Sequence, residues 1–487
     1  MSCTKNGNAS PRTRECKRIN VRELARRAKR RAYQKVEAVR RHVAEQGGLP
    51  FANLVAMERI VTALEDLGYA YRSRVYPPWV TLWAFLSQVT SPDSSCAAAV
   101  MRVIAYRIVT GQGRCSASPS SYSAARQRLP EAFYARLACD LGEELDALSP
   151  SPWLWLERHV KIVDGTTLTM PDTEANQAVY PQSSNQKAGL GFPIARLTAL
   201  FSLSVGTIVD AEITGTRGKK TGEITAFRTL WRSLRAGDVV LGDCLYDGYS
   251  DIAQLHQRQV DVVFGMSQSR ARDFRRGTTL GPGDHLVEWS RPRFDKSRLD
   301  RETWDALPPT MLMRELTRTI TDARGKRHTI TLVTTLLDAA KYPADEIFKL
   351  FRGRWNCELD LRSVKTLMGL AHLSCESPEM IRKEIWTYLL AYNLLRWHMA
   401  RAADTYAVEP RKLSFNNARQ AMQTFTLSVL GASAPQAEQL YEETLHVIAS
   451  HRVGKRPGRI EPRKVKRRKS KYPYLTAPRS SPKSLAA

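Results

Sequence analysis

The chain has few cysteines and spaces them without a metal-site pattern. Its eight cysteines, Cys3, Cys16, Cys96, Cys115, Cys139, Cys244, Cys357 and Cys375, form no CxxC pair and no finger spacing. That argues against a structural zinc site and a disulfide framework, and for reduced, mostly buried thiols. Long apolar runs are missing too. The longest uncharged apolar run lies between Arg196 and Asp210, short of the ~20 residues a spanning helix needs. The opening residues, MSCTKNGNASPRTRECKR, hold no apolar core of a secretion signal. A cytoplasmic protein without a membrane partner is therefore expected. No internal repeat is visible. Acidic residues are scarce as well: 48 Asp and Glu stand against 74 Lys and Arg, a net charge of +26.

That charge is placed unevenly. Residues 1–46 hold 14 lysines and arginines against four glutamates, and residues 451–487 hold 13 against Glu461 alone. The body between them is close to neutral. Basic ends on a neutral body point to a polyanion partner, nucleic acid first and an anionic membrane surface second. At 487 residues and 43% hydrophobic content, the chain is long enough for two to four domains with a real core.

Residues 21–46 read as a strongly basic helix, an arm for a DNA backbone, closed by Gly47-Gly48-Leu49-Pro50. From 47 to 152 the pattern is helical, with helices expected near 51–69, 79–90 and 94–111. A further helix carries Arg126, Gln127 and Arg128 before Pro130 starts another. An Arg-Gln-Arg face there could enter a major groove or belong to an ordinary helical bundle.

Ser149-Pro150-Ser151-Pro152 breaks this pattern and strands begin. Segments 159–164, 195–203, 205–213, 238–243 and 261–266 read as strands, with helices at 223–235 and 251–259 between them. This is a mixed α/β sheet, with Asp164 and Asp243 each ending a buried strand. Sheets of this class gather ligands at strand ends. Residues 267–340 read as an inserted β subdomain. Helices are then expected at 344–368, 377–405 and across 414–450, before the basic tail at 451–487.

The 344–368 segment contains FRGRWNCELDLRSVK. On one continuous helix, Phe351, Arg354, Glu358 and Lys365 share an arc of about 60°, with Asp360 on the opposite side. A carboxylate flanked by an arginine and a lysine suits a site gripping a divalent metal and a phosphate together. The plain alternative is a solvated Arg–Glu pair one turn apart. Asp172, Glu174, Asp210 and Asp247 compete with Asp164 and Asp243 as site acids.

The spacing of Phe351, Arg354, Glu358 and Lys365 resembles the Tyr-x2-Arg-x3-Glu-x6-Lys signature of a large family of DDE transposases from bacterial insertion sequences. The resemblance extends over roughly 155–400, through VDGTT around Asp164, LGDCLYDG around Asp243, and the β insertion ahead of the Glu358 segment. It implies an RNase H-like mixed-sheet core, interrupted at 267–340, resumed at 341–375 and flanked by helical regions at 47–152 and 376–450. It implies Asp164, Asp243 and Glu358 as a catalytic triad holding two Mg²⁺ ions, with Mn²⁺ substituting. Arg354 and Lys365 become contacts to double-stranded DNA at the element's inverted repeats, target DNA the second substrate, and a homodimer the assembled form. Phe351 departs from the family's Tyr, which removes a phenol contact and keeps a ring. Trp289 and Trp304 are candidates for holding a flipped base. The implied activity is cut-and-paste transposition by a nucleoid-associated enzyme. The rivals are a nuclease that cuts without joining and a DNA-binding derivative with catalysis lost.

Overall fold

The computed structural model describes residues 55–454, apart from 72–73, 110, 219–220, 269, 271, 297–298, 322–326 and 430–431. The basic arm at 1–46 and the tail from 455 onward lie outside the described residues. Five helices come first: α1 (Met57–Asp66), α2 (Pro78–Thr90), α3 (Cys96–Val109), α4 (Ser120–Arg128) and α5 (Glu131–Ala147). Pro78 sits in the first turn of α2, where its missing N–H costs nothing.

The chain then enters the sheet: β1 (Val160–Thr169), helix α6 (Glu174–Val179), β2 (Ile194–Ser202) and β3 (Ile208–Gly215). Helix α7 (Glu223–Leu230), β4 (Val239–Gly242), α8 (Tyr249–Gln257) and β5 (Asp261–Gly265) follow. Strands β1, β2 and β3 pair antiparallel, whereas β1, β4 and β5 run parallel, giving the order β3-β2-β1-β4-β5. This is the RNase H-like arrangement. Alternate residues divide the sheet into two faces. Ile162, Leu241 and Val263 join the core beneath the N- and C-terminal helices, while Val163, Val240 and Val262 pack with α7 and α8.

The segment after β5 supplies β6 (Thr278–Gly281), β7 (Asp284–Ser290), α9 (Arg301–Asp305), β8 (Thr310–Thr321) and β9 (Arg327–Thr334). Its strands do not form a separate sheet. β9 pairs antiparallel with β5, and β8, β7 and β6 continue outward, making nine strands in one sheet. The insertion thereby covers the unpaired N–H and C=O groups that β5 would otherwise present.

Two short helices, α10 (Ala344–Arg352) and α11 (Trp355–Arg362), precede the long α12 (Pro378–Thr405), α13 (Phe415–Val429) and α14 (Ala434–Ser450). Helix α12 is buried along most of its length and packs on α5, α2 and α14. Its fully buried Asn393 donates to Ala138 O and Ile208 O and accepts from Ile208 N, each at 2.8 Å. That one amide ties α5 and β3 to α12 and leaves no unpaired polar group behind. The early helices therefore share a core with the sheet. Among the described residues, no helix is long and apolar enough to cross a membrane.

Candidate active site

Strand pairing brings Asp164 and Asp243 together. Val160 lies opposite Val239 and Ile162 opposite Leu241 on adjacent parallel strands. Carried two residues on, past the end of β4 at Gly242, the same register would bring Asp164 beside Asp243. On β1, Asp164 shares the face of Ile162, since strand side chains alternate with period two. Neighbouring strands are about 4.8 Å apart. Each aspartate anchors one oxygen in its own turn: Asp164 Oδ1 accepts from Gly165 N at 2.9 Å, and Asp243 Oδ1 from Leu245 N at 2.8 Å. Burial pushes the Asp164 carboxyl above the ordinary carboxylate range. The Gly165 N–H and the Arg354 charge oppose that rise, while the Glu223 and Asp243 charges add to it.

The segment carrying Glu358 is not the single helix expected over 344–368. It breaks at Gly353, between α10 and α11, and Ser363–Leu367 widens into a π-helical turn. Glycine is a poor residue for a helix interior. The break also lets α10 pack on β5 while α11 packs on β1. Arg354 stands at the joint. Its Nη2 lies 3.6 Å from Glu358 Oε1, and its side chain is 17% exposed where that of Glu358 is 43% exposed. The arginine thus pairs with Glu358, and its charge also acts on the Asp164 carboxyl. The Phe351 ring sits beside the chain that follows Asp243. A Cβ on Gly265 would be 3.6 Å from Phe351 Cζ and 3.1 Å from Cys244 N. Lys365, carried round by the π turn, donates from Nζ to Thr166 Oγ1 at 2.8 Å. Burial lowers the Lys365 pKa.

The competing acids are engaged elsewhere. Asp210 is buried and accepts from Arg232 at 2.8 and 2.9 Å and from the Ser233 hydroxyl at 2.8 Å. Asp247 accepts from Ser267 N at 2.7 Å. Asp172 accepts from Gln177, and Glu174 lies in the first turn of α6. Asp360 is buried between Arg396 and Arg411, accepting from Arg411 at 2.7 and 2.9 Å.

Three other expected DNA contacts separate. Arg126 is buried, with its guanidinium 4.8 Å from both the Phe85 and Tyr122 rings and 3.2 Å from Gln88 Oε1. The Arg-Gln-Arg stretch is thus no single face: Arg126 points into the helical core, while Gln127 and Arg128 are exposed. Trp289 is also buried, donates to Glu315 Oε1 at 2.7 Å, and lies 3.8 Å beneath the Arg270 guanidinium. Trp304 lies beneath Arg291 at 3.7 Å.

Glu223, in the first turn of α7, had no part in the sequence reading, yet its charge reaches Asp164. An acid opening a helix ordinarily reads as a favourable partner for the helix N-terminus. Among the described residues, no three His, Cys, Asp or Glu side chains are gathered closely enough to hold an ion as they stand. The donor chemistry still suits a hard divalent cation: carboxylate oxygens, crowded by like charge, with no sulfur or imidazole among them.

A family model for the transposase DDE domain matches residues 155–394. Over 374 residues the chain is 28% identical to transposase InsG for insertion sequence element IS4 of Escherichia coli, covering 75% of this chain and 79% of that protein. Among solved structures, a piggyBac transposase synaptic complex with hairpin DNA aligns with 84% of this chain and 85% of its own, at a TM-score of 0.43 and 8% identity. The matched region takes in Asp164, Asp243 and Glu358, and over it the chain is similar to the DDE transposases.

Proposed function

We propose that this protein is a DDE transposase that cuts phosphodiester bonds at the inverted-repeat ends of its element and joins the freed 3′-hydroxyls to target DNA, a cut-and-paste reaction. One observation carries the reading. The parallel pairing of β1 and β4 ends two residues before Asp164 on β1 and two before Asp243, which directly follows β4, and α11 packs against the same strand, β1, with Glu358 exposed. Asp164, Asp243 and Glu358 would hold two Mg²⁺ ions, with Mn²⁺ substituting. When bound, such ions activate a water or 3′-hydroxyl and stabilise the leaving oxygen.

The chain's own residues bind and orient the DNA. Arg354 offers a planar fork of donors suited to a phosphate. Lys365 adds a point charge two residues along β1 from Asp164, through its bond to Thr166. Phe351 packs its ring beside the Asp243 turn, taking no hydroxyl contact. Arg128 is exposed and available to DNA, whereas Arg126 and Trp289 would have to leave their present packing to reach it. The helices at 57–147 and the basic ends supply further DNA contacts, the ends through phosphate neutralisation. Two protomers act together, because two ends must be paired. The site of action is the chromosome in the bacterial cytoplasm.

Pre-cut element ends bearing 3′-hydroxyls, incubated with target plasmid and Mg²⁺, test the proposal. Covalent joining is the expected result. Cleavage of uncut ends without joining would instead make the protein a nuclease. End binding with neither reaction would make it a DNA-binding derivative.

A further inference from the structure

Cys96 opens α3, and three donors from two other helices converge on its sulfur. Arg126 Nη2 lies 3.2 Å from Cys96 Sγ, Gln88 Nε2 3.8 Å and Ser123 Oγ 4.0 Å. Helix α2 supplies the glutamine, and α4 the other two. The orientation of Gln88 follows from its neighbours. Its Oε1 accepts from the Tyr122 hydroxyl at 2.7 Å and from Arg126 Nη1 at 3.2 Å. Arginine can only donate, so the amide turns its NH₂ toward Ser94 O and Cys96. Among the described residues, every hydrogen bond at Cys96 Sγ has the sulfur as acceptor. A site with three donors and no acceptor suits a sulfur carrying negative charge, as does a place in the first turn of a helix.

Arg126 lacks the partner that a buried arginine ordinarily has. It is 6% exposed, its Nε is buried without a hydrogen-bond partner, and among the described residues it makes no ion pair. The Phe85 and Tyr122 rings beside it supply only cation–π attraction. Elsewhere in the protein, buried Arg314 stands against Asp284 and buried Arg396 against Asp360. The other ionisable groups around Cys96 do not fill that place. Burial pushes the Tyr122 phenol and the Cys375 thiol up, so both stay neutral near pH 7. Glu384 accepts from Ser374 N at 3.0 Å and from Cys375 N at 2.9 Å. Asp93 is exposed and accepts from Ser95 N, and Arg102 donates to Ser87 O and Asp93 O. Cys96 also differs from the protein's other thiols. Cys139 donates to the Asp210 carboxylate and Cys357 is buried, whereas Cys96 is partly exposed.

We propose that Cys96 is a modification site, at which hydrogen peroxide oxidises the sulfur to a sulfenic acid while Arg126, Gln88 and Ser123 stabilise the charged sulfur that reacts. The thiolate attacks one peroxide oxygen. An S–O bond forms as the O–O bond breaks, and the departing hydroxide takes a proton from solvent and leaves as water. The sulfur is oxidised by two electrons and the peroxide reduced. The test labels the reduced full-length protein with iodoacetamide between pH 6 and 8 and reads Cys96 by peptide mass spectrometry. In the folded protein the rate at Cys96 is expected to change by less than about two-fold, and after unfolding in urea to rise roughly ten-fold per pH unit. Arg126→Gln is expected to give folded Cys96 the steep profile. Ser123→Ala is expected to slow labelling at the lowest pH several-fold and serves should the glutamine variant fail to fold. Hydrogen peroxide followed by dimedone at neutral pH is expected to leave the dimedone adduct on wild-type Cys96. A steep profile at folded wild-type Cys96, an unchanged profile in the folded variants, or no adduct on Cys96 overturns the inference.

Discussion

The two faces of α11 put carboxylates two residues apart to opposite uses. Asp360 is 1% exposed and sits between Arg396 and Arg411. Its charge is cancelled inside the protein. Glu358 looks outward beside one arginine, shared with an Asp164 carboxyl whose pKa is raised by burial and by like charge from Glu223 and Asp243. One face is electrostatically closed. The other gathers more negative charge than its cations cover, as the proposed role in holding a divalent cation requires. Burying an acid is thus no sign of its role, because the counter-charge decides that role.

Breaking the open face has the largest expected effect. Asp164→Asn, Asp243→Asn or Glu358→Gln each removes charge, not bulk. Each is expected to lower end cleavage by roughly a thousand-fold or more while DNA-end binding and the melting temperature hold. Full activity in any one variant would remove that residue from the set. Breaking the closed face gives the reverse pattern. Asp360→Asn strands two arginines, one of them buried, and is expected to destabilise the protein by about 3–5 kcal/mol. A thermal melt or denaturant titration reads the loss, and unchanged stability would dissolve the contrast between the faces. The smallest effects belong to the cations on the open side. Arg354→Ala or Lys365→Ala is expected to weaken end binding and reduce its salt slope by about one unit each. Binding measured across several salt concentrations checks this, and an unchanged slope removes the phosphate contact.

The strands leading to Asp164 and Asp243 are legible as apolar, β-branched runs, but Asp164 does not end its strand: β1 runs on to Thr169, paired with β2 beyond the acid, while β4 stops one residue short of Asp243. The helix 377–405 was legible from its Ser-Pro start, and is observed at Pro378–Thr405. The break at Gly353 was not. A common arc for Phe351, Arg354, Glu358 and Lys365 requires an unbroken helix, and the different packing partners of α10 and α11 override that period. Arg126 is a candidate DNA contact from the Arg-Gln-Arg stretch, with an ordinary bundle as the alternative, and Trp289, like Trp304, from the family resemblance. Packing placed Arg126 among aromatic rings and Trp289 over Glu315, facts of tertiary neighbourhood that no local pattern encodes. Glu223 was passed over for the same reason. Its proximity to Asp164 depends on Gly165 and on where β4 stops.

By itself, the sequence determined the order of strands and helices, the charge of the ends and the residue types available for chemistry. These follow from short-range periodicity, turn residues and composition. The tertiary structure alone decided which acids share a face, which are neutralised by arginine, and that the inserted strands extend the core sheet. Those outcomes depend on strand register and on contacts between residues a hundred or more positions apart, as between Lys365 and Thr166, where chain separation says nothing about distance in space.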